Sequence, residues 1–257
     1  MICTAPWRTL LARRAWRTAA VLVAVSAAAP AHAQSGGDGF LFKPPKGTLT
    51  FRTGLDHANA GSDLFKFTTD QLTVDRGDFS SVLWAGDVSI RVSQRLDAVI
   101  TVAYSGSQTQ SEFRNWTDNK KLPIEQTTRF QRVPLTGSLK AYLTRPGRSI
   151  GHFAWMPARY APYVGAGGGM MWYQFAQDGD IIDFATTRVF PDQFDSNGWT
   201  PTVHAYAGAD ISMNPRFSLT TEARYEWARA ALGRDYAGFD KIDLSGFTLT
   251  TGISVRY

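Results

Sequence analysis

The sequence predicts an all-β fold, an eight-stranded antiparallel up-and-down transmembrane β-barrel. Three observations predict it. The stretch Asp243–Tyr257 alternates: Phe247, Leu249, Thr251, Ile253, Val255 and Tyr257 share one parity, and Thr248, Thr250, Gly252, Ser254 and Arg256 the other. Such alternation is a strand with one apolar and one polar face. Segments of the same kind recur back to Gly47, separated by turn or loop material. Beyond the N-terminal segment no apolar run approaches the ~18 residues that mark a spanning helix, yet the chain carries eight Trp, nine Tyr and 16 Phe.

The N-terminus reads as a secretory signal. Arg8, Arg13, Arg14 and Arg17 form a basic front, Thr18 to Ala29 is a short apolar run, and Ala31-His32-Ala33 is a small-x-small cleavage site. The apolar run falls short of the ~20 residues of a membrane anchor. Removing residues 1–33 takes away four of 27 Lys+Arg and none of 22 Asp+Glu, so the net charge falls from +5 to +1. That balance leaves no footprint for nucleic acid. Cys3 is the single cysteine, so the exported chain is expected to hold no disulfide. Residues 34–46, Gly-rich and then Pro44-Pro45, read as a periplasmic linker, and 47–257 as the barrel.

The first strand spans about Gly47 to His57, with Leu49, Phe51 and Leu55 opposed to Arg52 and Asp56. A polar loop is expected to about Asp78. The second sets Val82, Trp84, Val88, Ile90 and Val92 against Asp87, Ser89 and Arg91, and turns at Ser93-Gln94-Arg95. The third sets Ala98, Ile100, Val102 and Tyr104 against Asp97, Thr101 and Ser105. A second polar loop is expected over about Gly106 to Gln126. The fourth carries Val133, Leu135, Leu139 and Leu143 outward and Thr136, Ser138, Lys140 and Tyr142 inward; Pro134 sits near its loop end, where a missing donor is tolerable. A longer turn follows, from Arg145 to about Arg159.

The fifth strand, Tyr160 to Phe175, holds Gly165-Ala-Gly-Gly-Gly169, which lacks the third glycine and the helix of a nucleotide loop and reads as relief of crowding. Ala176 to Gly198 is expected to be a third loop. Its Asp178, Asp180, Asp183, Asp192 and Asp195 lack the order of a calcium loop, so they read as solvated charge with no metal site. The sixth strand sets Val203, Ala205, Ala207, Ala209 and Ile211 against His204, Tyr206 and Asp210, and the seventh sets Phe217, Leu219, Ala223 and Trp227 against Thr220, Glu222, Arg224 and Glu226. The alternation of long and short connections puts all long loops at one end, and no open edge can face lipid, so the strands must close.

A soluble barrel would point its apolar face inward. The inverted arrangement is favoured by the aromatics near strand ends (Trp84, Tyr104, Tyr173, Phe217, Trp227, Phe247, Tyr257), which read as interfacial girdles. It is favoured again by opposed charges on the polar face. Arg52, Asp87, Arg91, Lys140, His204, Asp210, Glu222, Arg224, Glu226 and Arg256, with Asp56, are expected to form a charge network in the lumen.

Thr250-x-Gly252-x-x-Val255-x-Tyr257, Pro162-Tyr-Val-Gly-Ala-Gly-Gly-Gly169 and Ala207–Phe217 with Glu222-Ala-Arg-Tyr225 resemble the small outer-membrane barrels of Gram-negative bacteria, of the OmpA/OmpX/OmpW kind. The resemblance covers about Gly47 to Tyr257. It implies the cell outer membrane as location, outer-membrane lipids as partners, and Gly252, Val255 and Tyr257 as the signal read by the barrel assembly machinery. No cofactor is expected, and the ligand of the outer loops is left open. The expected role is structural or surface-interacting, without enzymatic activity. A narrow channel for small or apolar solutes is the first alternative, and a lipid-modifying or proteolytic barrel using His57 or His204 the second.

Overall fold

The computed structural model describes residues 41–117, 122–150, 154–183 and 188–257. The signal over 1–33 and the linker residues 34–40 lie outside the described residues. The strands are β1 (Gly47–Ala58), β2 (Ser81–Ser93), β3 (Leu96–Thr117), β4 (Pro123–Tyr142), β5 (Tyr160–Asp183), β6 (Arg188–Ser212), β7 (Phe217–Ala230) and β8 (Gly246–Arg256). Each pairs antiparallel with the next, and β8 pairs with β1, from Gly246↔Ala58 to Arg256↔Thr48. The ring is therefore closed, an eight-stranded antiparallel barrel. Closure continues through Tyr257, whose amide donates to Gly47 O at 3.1 Å and whose carbonyl accepts from Lys46 N at 2.8 Å. The near end of the barrel is the one that holds Gly47 and Tyr257; the far end holds the long connections.

The wall is uneven in height. β1, β2, β7 and β8 have 12, 13, 14 and 11 residues, close to the ~9–11 that a tilted strand needs to cross a bilayer. β3 to β6 have 22, 20, 24 and 25. The expected second and third polar loops are thus corrected: Gly106–Thr117, Pro123–Gln126, Ala176–Asp183 and Arg188–Gly198 are strand, continuing the two hairpins beyond the far rim.

The reason these segments read as loops is visible in the side chains. In the lower wall Leu49, Phe51, Val88, Ile90, Ile100, Leu139, Val203 and Ile253 point outward and are exposed. A continuous outward apolar belt of this kind is stable only against lipid. Above the row Val133–Trp172–Trp199 the parity continues but the polarity reverses. On β4, Gln131, Arg129 and Thr127 now face outward, while Phe130 and Ile124 are buried. On β5, Gln174 faces outward, and Tyr173 and Phe175 are buried. Tyr173, expected in the outer girdle, is therefore an interior residue. Trp84, Tyr104, Phe217, Trp227, Phe247 and Tyr257 are exposed on the outer wall.

The expected first polar loop is also corrected. It contains α1 (Asp63–Gln71) and a single 3-10 turn, Arg76–Phe79. Asp63 accepts from Leu64 N at 2.8 Å, a carboxylate at the positive helix end. The helix turns Leu64, Phe65 and Thr68 toward the barrel axis. Phe65 is fully buried and meets Phe79, Phe130 and Phe175 edge-on, with centroids 4.7, 5.3 and 5.6 Å away. Leu72, Val74, Met171, Tyr236, Ile242 and Leu244 complete this cluster, so the far half of the interior is a packed apolar plug.

The raised edges are covered. Thr73 N donates to Glu112 O at 2.9 Å and Arg114 Nε to Leu72 O at 2.7 Å, which seals β3 where β2 has ended. Gly233 N donates to Ser196 Oγ at 2.8 Å and Asp195 N to Asp235 Oδ2 at 3.1 Å, which occupies the edge of β6 above β7. Bare edges would recruit foreign strands. At the near end Gly147–Ile150 and Ala154–Pro157 form a small hairpin within the turn expected over 145–159, and Leu41–Phe42, read as linker, pair with it.

Candidate functional site

The site is the lumen and the wall above it. Every second residue of the lower strands points inward, and apolar outer neighbours leave that face to polar side chains. At mid-height Arg52 is 3% exposed. Its Nε and Nη2 donate to Asp87 at 2.7 and 2.8 Å, and its Nη1 to Glu222 at 2.7 Å and Thr250 Oγ1 at 2.9 Å. Asp87 also accepts from Thr101 Oγ1 at 2.7 Å. Glu222 accepts from Arg224 Nε at 3.1 Å and from the Tyr163 hydroxyl at 3.1 Å. A bidentate guanidinium with four of its five N–H groups donated is a geometry in which a buried charge is tolerated.

Nearer the near end, Asp210 accepts from Lys140 Nζ at 2.8 Å, Tyr142 Oη at 2.7 Å and Thr220 Oγ1 at 2.8 Å. The Lys140 ammonium lies 3.7 Å from the Tyr163 ring centroid, a cation–π contact. On the other side of the central group, toward the plug, Arg132 donates to Asp56 Oδ2 at 2.6 Å and to Leu244 O at 2.7 Å. The void left between Thr50, Arg52, Asp87, Lys140, Tyr163 and Glu222 is about 20 Å³, room for about one water.

Of the residues expected in the network, Arg52, Asp87, Glu222 and Arg224 meet in one cluster, and Lys140 and Asp210 in a second. Four others are placed differently. Arg91 pairs with Asp97 beside Tyr142. Arg256 donates to Ser212 Oγ at 2.8 Å and to Asn214 O and Pro215 O, binding the β6–β7 turn. Glu226 accepts from Thr202 Oγ1 at 2.9 Å and makes no ion pair among the described residues. His204 is buried and stacked on Tyr206 at 5.7 Å, with neither ring nitrogen hydrogen-bonded among the described residues. Arg132 was missed because the fourth strand was started at Val133, although Arg132 shares parity with Lys140. Tyr206, expected on the polar face of the sixth strand, and Tyr163 on the fifth also line this interior, Tyr163 through Glu222 and Tyr206 under the Arg224 guanidinium.

Gly252 has a packing reason of its own. A Cβ there would stand 2.0 Å from Phe51 O and 2.7 Å from Arg52 Cγ, so the Arg52 stem crosses β8 where only hydrogen fits. Gly167 on β5 has the same character, 2.1 Å from Gly137 O.

Among the described residues, neither His57 nor His204 has a carboxylate hydrogen-bonded to its ring. His57 Nδ1 lies 3.1 Å from Ser80 Oγ on the exposed rim, while Asp56 turns inward to Arg132. No described group of His, Cys, Asp and Glu is placed to hold a metal. In the plug's lid, burial pushes the Tyr236 phenol above its ordinary value of 10.0, reinforced by Asp195 and Asp235, so the hydroxyl stays neutral.

No family model matches the chain, and no curated relative matches it. Among solved structures it is similar to the N-terminal β-barrel domain of Pseudomonas aeruginosa OprF, with 10% identity and a TM-score of 0.35 over 84% of this chain and 100% of that one. Neisserial surface protein A matches with 11% identity and a TM-score of 0.41 over 82% and 96%. Ail of Yersinia pestis, in complex with the heparin analogue sucrose octasulfate, matches with 10% identity and a TM-score of 0.38 over 82% and 99%. At this identity and overlap no activity passes from those proteins to this chain; the ring of paired strands and its apolar belt define the architecture.

Proposed function

We propose that the chain is a non-conducting outer-membrane barrel that anchors and displays a rigid outer wall. The observation that carries this reading is the stacking of filled layers along the axis. Lys140–Asp210, Arg52–Asp87–Glu222–Arg224 and Arg132–Asp56 lie one above another, under the Phe65 plug. The near end faces the periplasm and the raised hairpins face outward, following the rule that barrel turns are short inside and long outside. Surrounding lipids are partners through the apolar belt. Gly252, Val255 and Tyr257 on the closing strand serve as the signal for the barrel assembly machinery, alongside the packing role of Gly252. The side-chain layers maintain the envelope-spanning wall rather than catalyse a reaction.

Planar-bilayer recording of the purified full chain tests this. Baseline current without steady unitary openings is expected. Steady discrete openings at neutral pH, abolished when the protein is withheld, sink the reading and favour the solute channel.

A further inference from the structure

The outer face of the raised wall directly continues the lipid belt. Its first row above Trp172–Trp199 is Gly106–Gln131–Gln174–Asn197, and the next is Gln108–Arg129–Ala176–Asp195. These side chains are organised before anything binds. Asp195 accepts from Gln174 Nε2 at 2.7 Å and from Asn197 Nδ2 at 2.5 Å, and Arg129 donates to Gln108 Oε1 at 3.3 Å. The Gln174 and Asn197 amides, held through one N–H, keep the carbonyl oxygen and a second N–H for an outside partner, and Gln108 keeps its NH2. Gly106 carries no side chain on this face, and Trp199, 59% exposed, offers an aromatic plane at its foot. Planar amides, a carboxylate and a guanidinium over an indole are the groups that engage sugar hydroxyls and the apolar faces of sugar rings. A wall held in place gives up little side-chain entropy on binding.

The height selects the occupant. The rows begin at the level where outward polarity reverses, so they stand in the headgroup zone of whatever lipid meets Trp172 and Trp199. From this continuity with the apolar belt we infer that the outer face of β3–β6 binds the saccharide headgroup of a glycolipid in the leaflet that surrounds the barrel. This rests on the membrane-anchor reading above. The face is one-sided: β1, β2, β7 and β8 end near the rim and present no such wall.

The test uses the full chain reconstituted in phosphatidylcholine vesicles with either rough lipopolysaccharide bearing core sugars or lipid A lacking them. Copies retained after detergent release are counted by native mass spectrometry. The sugar-bearing glycolipid is expected to be retained about tenfold more, and Gln174→Ala with Asn197→Ala is expected to bring the ratio near one, as for one or two lost net hydrogen bonds. Equal retention of both glycolipids, or a ratio that the double variant leaves intact, overturns the inference. So does free core oligosaccharide binding as tightly as intact glycolipid, which would make the source soluble sugar. Folding is checked by the heat-shifted band in unboiled gels. If the double variant lacks that band, Gln108→Ser and Arg129→Gln supply the same ratio. A conducting protein that still selects the sugar-bearing lipid would break the anchor reading alone; a non-conducting one without selection would break this inference alone.

Discussion

The lower and upper halves of the interior have opposite chemistry, although β4 and β5 run through both. Below the Val133–Trp172–Trp199 row the barrel encloses Arg52, Asp87, Glu222 and Arg224; above it, Phe65, Phe130, Phe175 and Tyr236. The backbone registers run through the boundary unchanged. What changes is the medium outside. Where lipid covers the wall, the outward parity must be apolar and the inward parity takes the polar groups. Where water or sugar covers it, the inward parity can again form an ordinary hydrophobic core. The reversal row therefore marks the membrane surface on the chain.

The largest effect should come from the lower half. Arg52→Met strands Asp87 and Glu222 in a buried site and is expected to cost about 3–5 kcal/mol, read as a lower urea midpoint for loss of the heat-shifted band. Arg132→Met combined with Asp56→Leu should recover most of the loss caused by Arg132→Met alone, because no charge is left behind. A double variant as weak as the single one would show that the layer contributes by pairing rather than by avoiding an orphan charge.

Phe65→Ala removes the centre of the plug, at about 3–5 kcal/mol for a buried aromatic. The loss is expected to stay local: proteolysis between Ala58 and Phe79 speeds up while the barrel's urea midpoint holds. A midpoint that falls in step would join the two halves into one cooperative unit.

The boundary is sharpened by a pair of arginines. Val88→Arg, on the belt, is expected to cost about 2–4 kcal/mol, whereas Thr127→Arg, outward but above the reversal, should stay within about 0.5 kcal/mol. Equal costs would move the membrane surface up the wall. Smallest of all, Arg114→Ala should cost under about 1 kcal/mol, yet expose the β3 edge. Its check is concentration-dependent aggregation, absent in the parent.

The closed lower barrel was legible because lipid imposes a strict rule on alternation, and β1, β2 and β8 obey it from end to end. Leu49, Val88 and Ile253 announce their face without help from neighbours. The upper wall was not legible. Ile124 and Phe194 sit on the parity that the belt assigns to polar groups, so a reading tuned to lipid took their segments for loops. Leu64, Phe65, Leu72, Val74 and Phe79 were likewise hidden in a stretch whose average is polar.

The sequence by itself determined the strand number, the order of neighbours and which parity meets lipid, since these follow from local periodicity and from the rule that no edge is left in a membrane. Only the tertiary structure decided which charges meet. Arg52 reaches Glu222 across 170 positions of sequence, while Arg256, on the same parity of the closing strand, binds turn carbonyls instead. Pairing depends on the height of each side chain along the axis and on the strands that closure brings together. Periodicity reports a face; it carries no record of height.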